Sequence, residues 1–203
     1  MSTLLAPIAM GILVVAAWND VATRTIPDGL SLALVAIALL LRPFNDGLVP
    51  LAWSLGGAVV LFLLLALLHA RGVFGGGDVK LACAMACVLP LPWLAQFLAA
   101  TAIAGGVVAA IHISLRLLPS PMPAPAGAGL PRRVFAAERW RIARRGSLPY
   151  GVAIAAGGWV ALLDATARGR LLAAQAWSVH PMALVAGRAV SIHMGSIHLE
   201  TGS

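Results

Sequence analysis

The stretch Val49–His69, VPLAWSLGGAVVLFLLLALLH, contains no Asp, Glu, Lys or Arg residue. A helix needs roughly 20 consecutive apolar residues to cross the hydrocarbon core of a bilayer, and this stretch meets that requirement by itself. The rest of the chain agrees, because 61% of its 203 residues are hydrophobic and only 10% are charged. A water-soluble domain carries about 25% charged residues. We therefore expect an all-α, polytopic membrane protein.

Five further apolar stretches predict about six transmembrane helices in all. They are Leu4–Trp18, Leu30–Leu41, Val79–Leu89, Trp93–Leu118 and Leu148–Ala165. The second and fourth spans along the chain, Leu30–Leu41 and Val79–Leu89, are short for the bilayer. The former becomes long enough if its helix begins near Thr25. The sequence Pro90-Leu91-Pro92 predicts a tight turn between two spans.

The composition changes after the fifth span. Residues 1–165 are expected to form the membrane-embedded domain, with residues 119–147 as a cytoplasmic linker and basic segment inside it. Pro119–Pro131 has the composition of a linker. Arg132–Arg145 holds six arginines and predicts either an amphipathic helix in the interface plane or a solvated basic loop that fixes topology. The tail, residues 166–203, matches no pattern with a known role.

Positive charge is distributed unequally between the two sides of the membrane. If the N-terminus is outside, ten of the fourteen Lys and Arg residues fall on the cytoplasmic side: Arg24, Arg71, Lys80, Arg116 and the six of Arg132–Arg145. The positive-inside rule favours this orientation. Because the arginines follow the topology rather than a soluble basic face, no nucleic-acid partner is expected.

The chain has only seven acidic residues, and carboxylates at membrane edges are functional candidates because they are costly to keep there. They are Asp20, Asp28, Asp46, Asp78, Glu138, Asp164 and Glu200. Asp28 suits the first turn of a helix, and Asp46 lies in a turn-forming stretch. Asp164 is expected at the opposite face of the membrane, and the side chains of Glu138 and Glu200 are expected to be solvated. Asp20 and Asp78 are therefore the candidates at the cytoplasmic face.

Three consecutive glycines precede Asp78 in the stretch Phe74–Lys80, FGGGDVK. An aspartate that caps the following helix explains Asp78 but not so much glycine. A phosphate-binding loop does not fit, because the Gly-Lys-Ser/Thr ending is absent and no parallel sheet is available. Without Cβ atoms, the glycines would instead let a substrate backbone approach the carboxylate.

Two carboxylates that face each other at a low-dielectric boundary share one proton more easily than they both ionise. The ionised member takes a proton from water while the protonated member polarises a scissile carbonyl. Acids within membranes also bind cations or carry protons, so a small transporter or an assembly factor stays open as an alternative. Transport acids are expected near the bilayer midplane, whereas Asp20 and Asp78 flank cytoplasmic loops.

Three blocks of sequence carry a resemblance to a known family. They are Trp18-Asn19-Asp20 with Arg24-Thr25-Ile26-Pro27, then Gly75-Gly76-Gly77-Asp78-Val79-Lys80-Leu81, and finally Leu148-Pro149-Tyr150-Gly151-Val152-Ala153. In their order and spacing over Leu4–Ala165, they resemble the prepilin peptidase (type IV leader peptidase) family. The resemblance implies a membrane aspartyl protease of the Gly-x-Gly-Asp type, with Asp20 and Asp78 as its catalytic residues.

The resemblance also implies which residues surround the catalytic pair. Six are expected to bind substrate or to shape the loops: Ile26, Pro27, Gly75, Gly76, Gly77 and Lys80. Lys80 could orient the site or contact phospholipid. No cofactor and no metal is expected. The expected partners are membrane lipid and prepilins, whose apolar N-terminal helix follows a short basic leader, and the expected location is the bacterial inner membrane.

The sequence departs from the family in two respects. The family commonly has Asn where this chain has Asp28, and its long members carry a four-cysteine zinc-binding loop that is missing here. The chain therefore resembles the short members associated with Flp/Tad-type pili, and N-methylation is not predicted. Another protease with Gly-x-Gly-Asp, of the preflagellin or signal-peptide peptidase type, is the alternative enzyme. The sequence makes no prediction of oligomeric state.

Overall fold

The computed structural model describes residues 4–117 and 148–179, together with residues 129–130, 133–134 and 140. All regular structure among them is helical, which confirms the expected all-α class. The helices are α1 (Leu5–Thr23), α2 (Asp28–Asn45), α3 (Leu48–Ala70), α4 (Gly76–Val88), α5 (Leu94–Arg116) and α6 (Tyr150–Val179), with a 3₁₀ turn at Leu91–Trp93. The expectations for the linker, the basic segment and most of the tail lie outside the described residues.

Within the described part of the chain, five helices are long and apolar enough to cross a membrane. They are α1, α2, α3, α5 with the turn before it, and the part of α6 from Tyr150 to Gly169. The remaining helix, α4, has only 13 residues. At 1.5 Å per residue it is about 20 Å long, whereas the hydrocarbon core is about 30 Å thick. The expected span at Val79–Leu89 is therefore a helix shorter than the hydrocarbon core of a bilayer of ordinary thickness.

The helix ends differ from the apolar stretches in the sequence. α1 continues past Trp18 to Thr23, so Asp20 lies in its last turns rather than in the loop that follows. α2 begins at Asp28 and not near Thr25. The reason is Pro27, which disfavours a helical conformation for the residue before it. α6 starts directly after Pro149 and continues beyond the predicted end of the last span at Ala165.

The chain divides into two compact units, Met1–Ala165 and Thr166–Ser203. In the first unit, α4 lies at the centre of the bundle, and eight of its 13 residues are buried. It packs against both α2 and α3. A helix that is apolar on all sides is suited to such a central position. The described part of the second unit is helical from Thr166 to Val179.

The C-terminal end of α4 is held by a buried arginine of α2. Arg42 is fully buried, and its Nη1 donates to the carbonyl oxygens of Cys87 at 2.9 Å and Leu89 at 3.1 Å. The last carbonyl groups of a helix have no partner within the helix, so the guanidinium supplies donors that the apolar surroundings lack. Arg42 Nε also donates to Asp46 Oδ2 at 3.1 Å, which balances the charge. Asp46 lies in the turn that ends α2, as the sequence predicted, and it is also part of a partly buried ion pair.

Contacts along α6 show which residues of its neighbours lie at the same height. Trp159 Nε1 donates to the Met10 carbonyl oxygen, and Gly151 N donates to Asp20, so α1 and α6 run antiparallel. Gln96 Nε2 on α5 donates to Asp164 Oδ2 at 3.0 Å, near the opposite end of the bundle. These pairings place Asp20 beside the first turn of α6.

α5 extends further than α1 beyond the height of Asp20 and the first turn of α6. Gly105 lies against Tyr150 and Ala153, so it has the height of the first turn of α6. From Gly105, α5 continues to Arg116, which is about 16 Å of additional helix. By comparison, α1 ends at Thr23, three residues after Asp20.

Candidate active site

The structure brings the two candidate aspartates, Asp20 and Asp78, together at one end of the bundle. Asp20 is buried near the end of α1, and Asp78 is the third residue of α4. Both belong to helices, whereas the sequence predicted that they lie in loops beside the spans. The helical setting fixes the two carboxylates more firmly than loops would.

The surroundings of Asp78 favour its protonated form. Burial and, next, the negative charge of Asp20 raise the pKa of Asp78 from 3.8 to about 6. A hydrogen bond from the Gly75 backbone and the positive charge of Arg24 act in the opposite direction. Since each carboxylate affects the ionisation of the other, the two titrate as a pair. Such a pair can hold one proton up to about pH 6.

Asp20 is held by the first turn of α6. Gly151 N donates a hydrogen bond to Asp20 Oδ2 at 2.8 Å, across 131 residues of sequence. The first N–H groups of a helix have no partner within the helix, so this contact satisfies both groups. The approach is close, because a Cβ atom built on Gly151 would lie 2.8 Å from Oδ2 and 2.9 Å from the Cβ of Asp20.

The glycine loop holds Asp78 in a similar way. Gly75 is the N-cap of α4, and Asp78 at the third helical position bonds back to its backbone. This is the geometry in which a third-position side chain satisfies the amide of the capping residue. A Cβ atom on Gly75 would lie 2.8 Å from Asp78 Oδ2. Asp78 is therefore not the N-cap residue, which was the alternative interpretation of its position after the glycines.

The other two glycines contact neighbouring segments of the protein. A Cβ atom on Gly77 would lie 3.2 Å from the Cβ of Ile26, and one on Gly76 would lie 3.5 Å from the His69 ring. His69 Nδ1 in turn lies 2.7 Å from the carbonyl oxygen of Phe74. The space beside these glycines is thus used for packing the loops around Asp78. Pro27, next to Ile26, is the N-cap of α2.

Lys80 forms an ion pair with Asp28. Its Nζ lies 2.8 Å from both carboxylate oxygens of Asp28, although both side chains are more than half exposed. Asp28 is in the first turn of α2, as the sequence predicted, and the pair joins that turn to α4. Of the two roles considered for Lys80, this contact agrees with orienting the loops.

Two aromatic residues, Phe74 and Tyr150, contact each other at the same end of the bundle. The rings of Phe74 and Tyr150 have centroids 5.4 Å apart and are tilted by 40°. The sequence predicts no role for either ring or for Gly151, although Tyr150 and Gly151 lie in one of the three quoted blocks. The signal available was the position of this block at the start of a span. Its contact with Asp20 could not be read from local sequence.

The described residues hold no group of three or more His, Cys, Asp or Glu side chains arranged for a metal ion.

The fold and the site together define a helical, multi-pass membrane protein with paired carboxylates at one end of its bundle. The family model of the type IV leader peptidase family matches residues 8–110, and the chain belongs to that family. Membership identifies a peptidase with prepilin-type substrates. No curated protein and no solved structure matches the chain.

Proposed function

We propose that the chain is an aspartic endopeptidase that removes the leader of type IV, Flp-like prepilins at the cytoplasmic face of the bacterial inner membrane. The single observation that carries this proposal is the Asp20–Asp78 pair at one end of the bundle, with a pKa of about 6 at Asp78. The match to the family includes both aspartates.

The proposed reaction needs one proton on the pair. The ionised carboxylate removes a proton from a water molecule, which attacks the carbonyl carbon of the scissile peptide bond. The protonated carboxylate donates to the carbonyl oxygen as negative charge develops there, and the proton taken from water is later given to the leaving amine. The raised pKa of Asp78 makes it the member suited to hold the proton at the start.

The proposed substrate position follows from the location of the pair. The helices that leave this end extend far enough to cross most of a bilayer, since α1, α2 and α3 have 19, 18 and 23 residues. The pair then lies near one membrane surface, where the apolar helix of a prepilin meets its basic leader. The unequal distribution of arginine and lysine supports the cytoplasmic surface.

The proposal is tested by cleavage of a Flp-like prepilin by the purified protein in lipid vesicles. Asp20→Asn and Asp78→Asn should each abolish cleavage while the protein still folds and accumulates in the membrane. Asp164→Asn is the matched control, because Asn keeps an acceptor oxygen for Gln96 and lies away from the pair. Full activity in either Asp20→Asn or Asp78→Asn would refute the mechanism. Cleavage of preflagellins or signal peptides in preference to prepilins would change the proposed substrate.

A further inference from the structure

The first turn of α6 contacts the segments that carry both aspartates. Gly151 donates to Asp20 Oδ2, and the preceding residue, Tyr150, packs its ring against Phe74. Phe74 directly precedes the three glycines that lead to Asp78. Two consecutive residues of α6 therefore connect α1 to the loop before α4.

The contact with Asp20 requires glycine at position 151. A Cβ atom there would lie 2.8 Å from Oδ2, 2.9 Å from the Cβ and 3.0 Å from the Cγ of Asp20. Carbon atoms do not approach other heavy atoms so closely without displacement, and Asp20 is buried, so its surroundings resist such a shift. Any side chain at position 151 would therefore move the carboxylate, whereas catalytic groups must be held within about 0.5 Å of their productive positions.

The partial positive charge at the start of α6 stabilises the negative charge of Asp20, as does the hydrogen bond from Gly151. The N–H groups in the first turn of a helix carry partial positive charge and favour a negatively charged group in front of them. Gly151 is the second residue of α6, so its N–H belongs to that turn. The start of α6 thus both locates the Asp20 carboxylate and stabilises its negative charge.

We propose that Tyr150 and Gly151 are positioning residues that set the geometry of the aspartate pair, Gly151 through its hydrogen bond to Asp20 and Tyr150 through its ring contact with Phe74. This inference rests on the proposed function. Both residues lie outside residues 8–110, the part of the chain that the family model matches. Neither residue is required to contact the substrate.

The test is Gly151→Ala in the full-length protein, measured by prepilin cleavage across a range of pH. The substitution keeps the N–H but displaces Asp20. We expect kcat to fall at least tenfold with KM unchanged, because the substrate still binds. We also expect the acidic limb of the pH profile to move to higher pH, because the negatively charged pair loses a well-placed donor.

A glycine on the same helix supplies the matched control. A Cβ atom on Gly158 would lie 2.8 Å from Leu13 Cδ1 and 3.3 Å from Met85 Cε, so the atoms nearest to it belong to apolar side chains. Gly158→Ala should lower the Tm and leave the pH profile in place. A Gly151→Ala protein with the kcat and pH profile of the wild type would overturn the inference, as would a loss of activity that only follows its loss of Tm.

Tyr150 provides a second test that does not depend on the folding of Gly151→Ala. Tyr150→Phe keeps the ring against Phe74 and should retain the wild-type kcat, whereas Tyr150→Leu removes the ring contact and should lower kcat several-fold at unchanged KM. A folded Tyr150→Leu protein with the wild-type kcat would overturn the role of Tyr150. Cleavage by Asp20→Asn would instead refute the proposed function, so the two failures are distinguishable.

Discussion

Lys80 Nζ lies at the same distance, 2.8 Å, from both carboxylate oxygens of Asp28, so one ion pair joins the first turn of α2 to the second turn of α4. The loop that contains Ile26 and Pro27 ends at this pair, and Ile26 packs on Gly77. The pair and the apolar contact therefore act on the same two segments, close to Asp78. The ion pair is more than half exposed to solvent, whereas Ile26 and Gly77 are partly buried.

Because the Asp28–Lys80 pair is exposed, we predict a small contribution to stability, within about 1 kcal/mol. Lys80→Ala should therefore change the Tm little and lower the rate of prepilin cleavage less than tenfold. The double variant Asp28→Lys/Lys80→Asp, which restores opposite charges, should recover part of that rate. A loss of more than a hundredfold in Lys80→Ala, at unchanged Tm, would mean that Lys80 contacts the substrate.

The pH dependence of cleavage should have its basic limb near pH 6. Asp78 must hold the proton, and its pKa is raised by burial and by Asp20 to about 6, so activity is lost as the pH rises through this value. The measurement is kcat/KM between pH 4 and 9 on vesicles that stay intact throughout. A profile that is flat from pH 5 to 8 would contradict the proposed protonation state.

The same shift predicts how stability depends on pH. Asp78 binds its proton more tightly in the folded protein than in the unfolded chain, so its contribution is fully present below pH 3.8 and is lost as the pH rises through about 6. The Tm should therefore be higher at pH 5 than at pH 7.5. Asp78→Asn should reduce this difference, and Asp164→Asn, measured beside it, should not.

Arg42 should be important for stability rather than for the reaction. Arg42→Met removes these donors from the carbonyl groups of Cys87 and Leu89 and breaks the ion pair with Asp46, at a cost of about 3 kcal/mol or more. Thermal unfolding in detergent measures this cost. The double variant Arg42→Met/Asp46→Asn should cost less than the two single changes together, because the residues form one network. Simple additivity would show that they act independently.

Substitution of Gly77 tests whether the glycine loop makes room for Ile26 or for the substrate. Because its missing Cβ makes room for Ile26, Gly77→Val should push apart the two loops and lower stability as well as activity. Gly77→Val in combination with Ile26→Gly, which removes the Cβ atom 3.2 Å away and the Cγ1 atom beyond it, should regain part of both. If Gly77→Val instead melts like the wild type yet cleaves at least tenfold more slowly, the glycine makes room for the substrate.

Much of the architecture could be predicted from the sequence, because apolar stretches identify the segments that a bilayer stabilises. The number of helices and the placement of Asp20 and Asp78 at one end were predicted in this way. The extent of α1 was not, because an apolar stretch ends at its first polar residues, whereas the helix continues through Asp20. The residues that contact Asp20 and Arg42 could not be predicted from the sequence either. Gly151 is 131 residues from Asp20, and no local pattern specifies a contact across that separation.

The buried Arg42 has a consequence for the order in which the chain is assembled. Its carbonyl partners, at Cys87 and Leu89, lie 45 and 47 residues later in the sequence. When α2 enters the bilayer during synthesis, only Asp46, four residues away, is at hand to neutralise the guanidinium. We therefore expect the insertion of α2 to be completed only after α4 has emerged from the ribosome, and an arrest of translation before α4 should leave α2 less stably inserted.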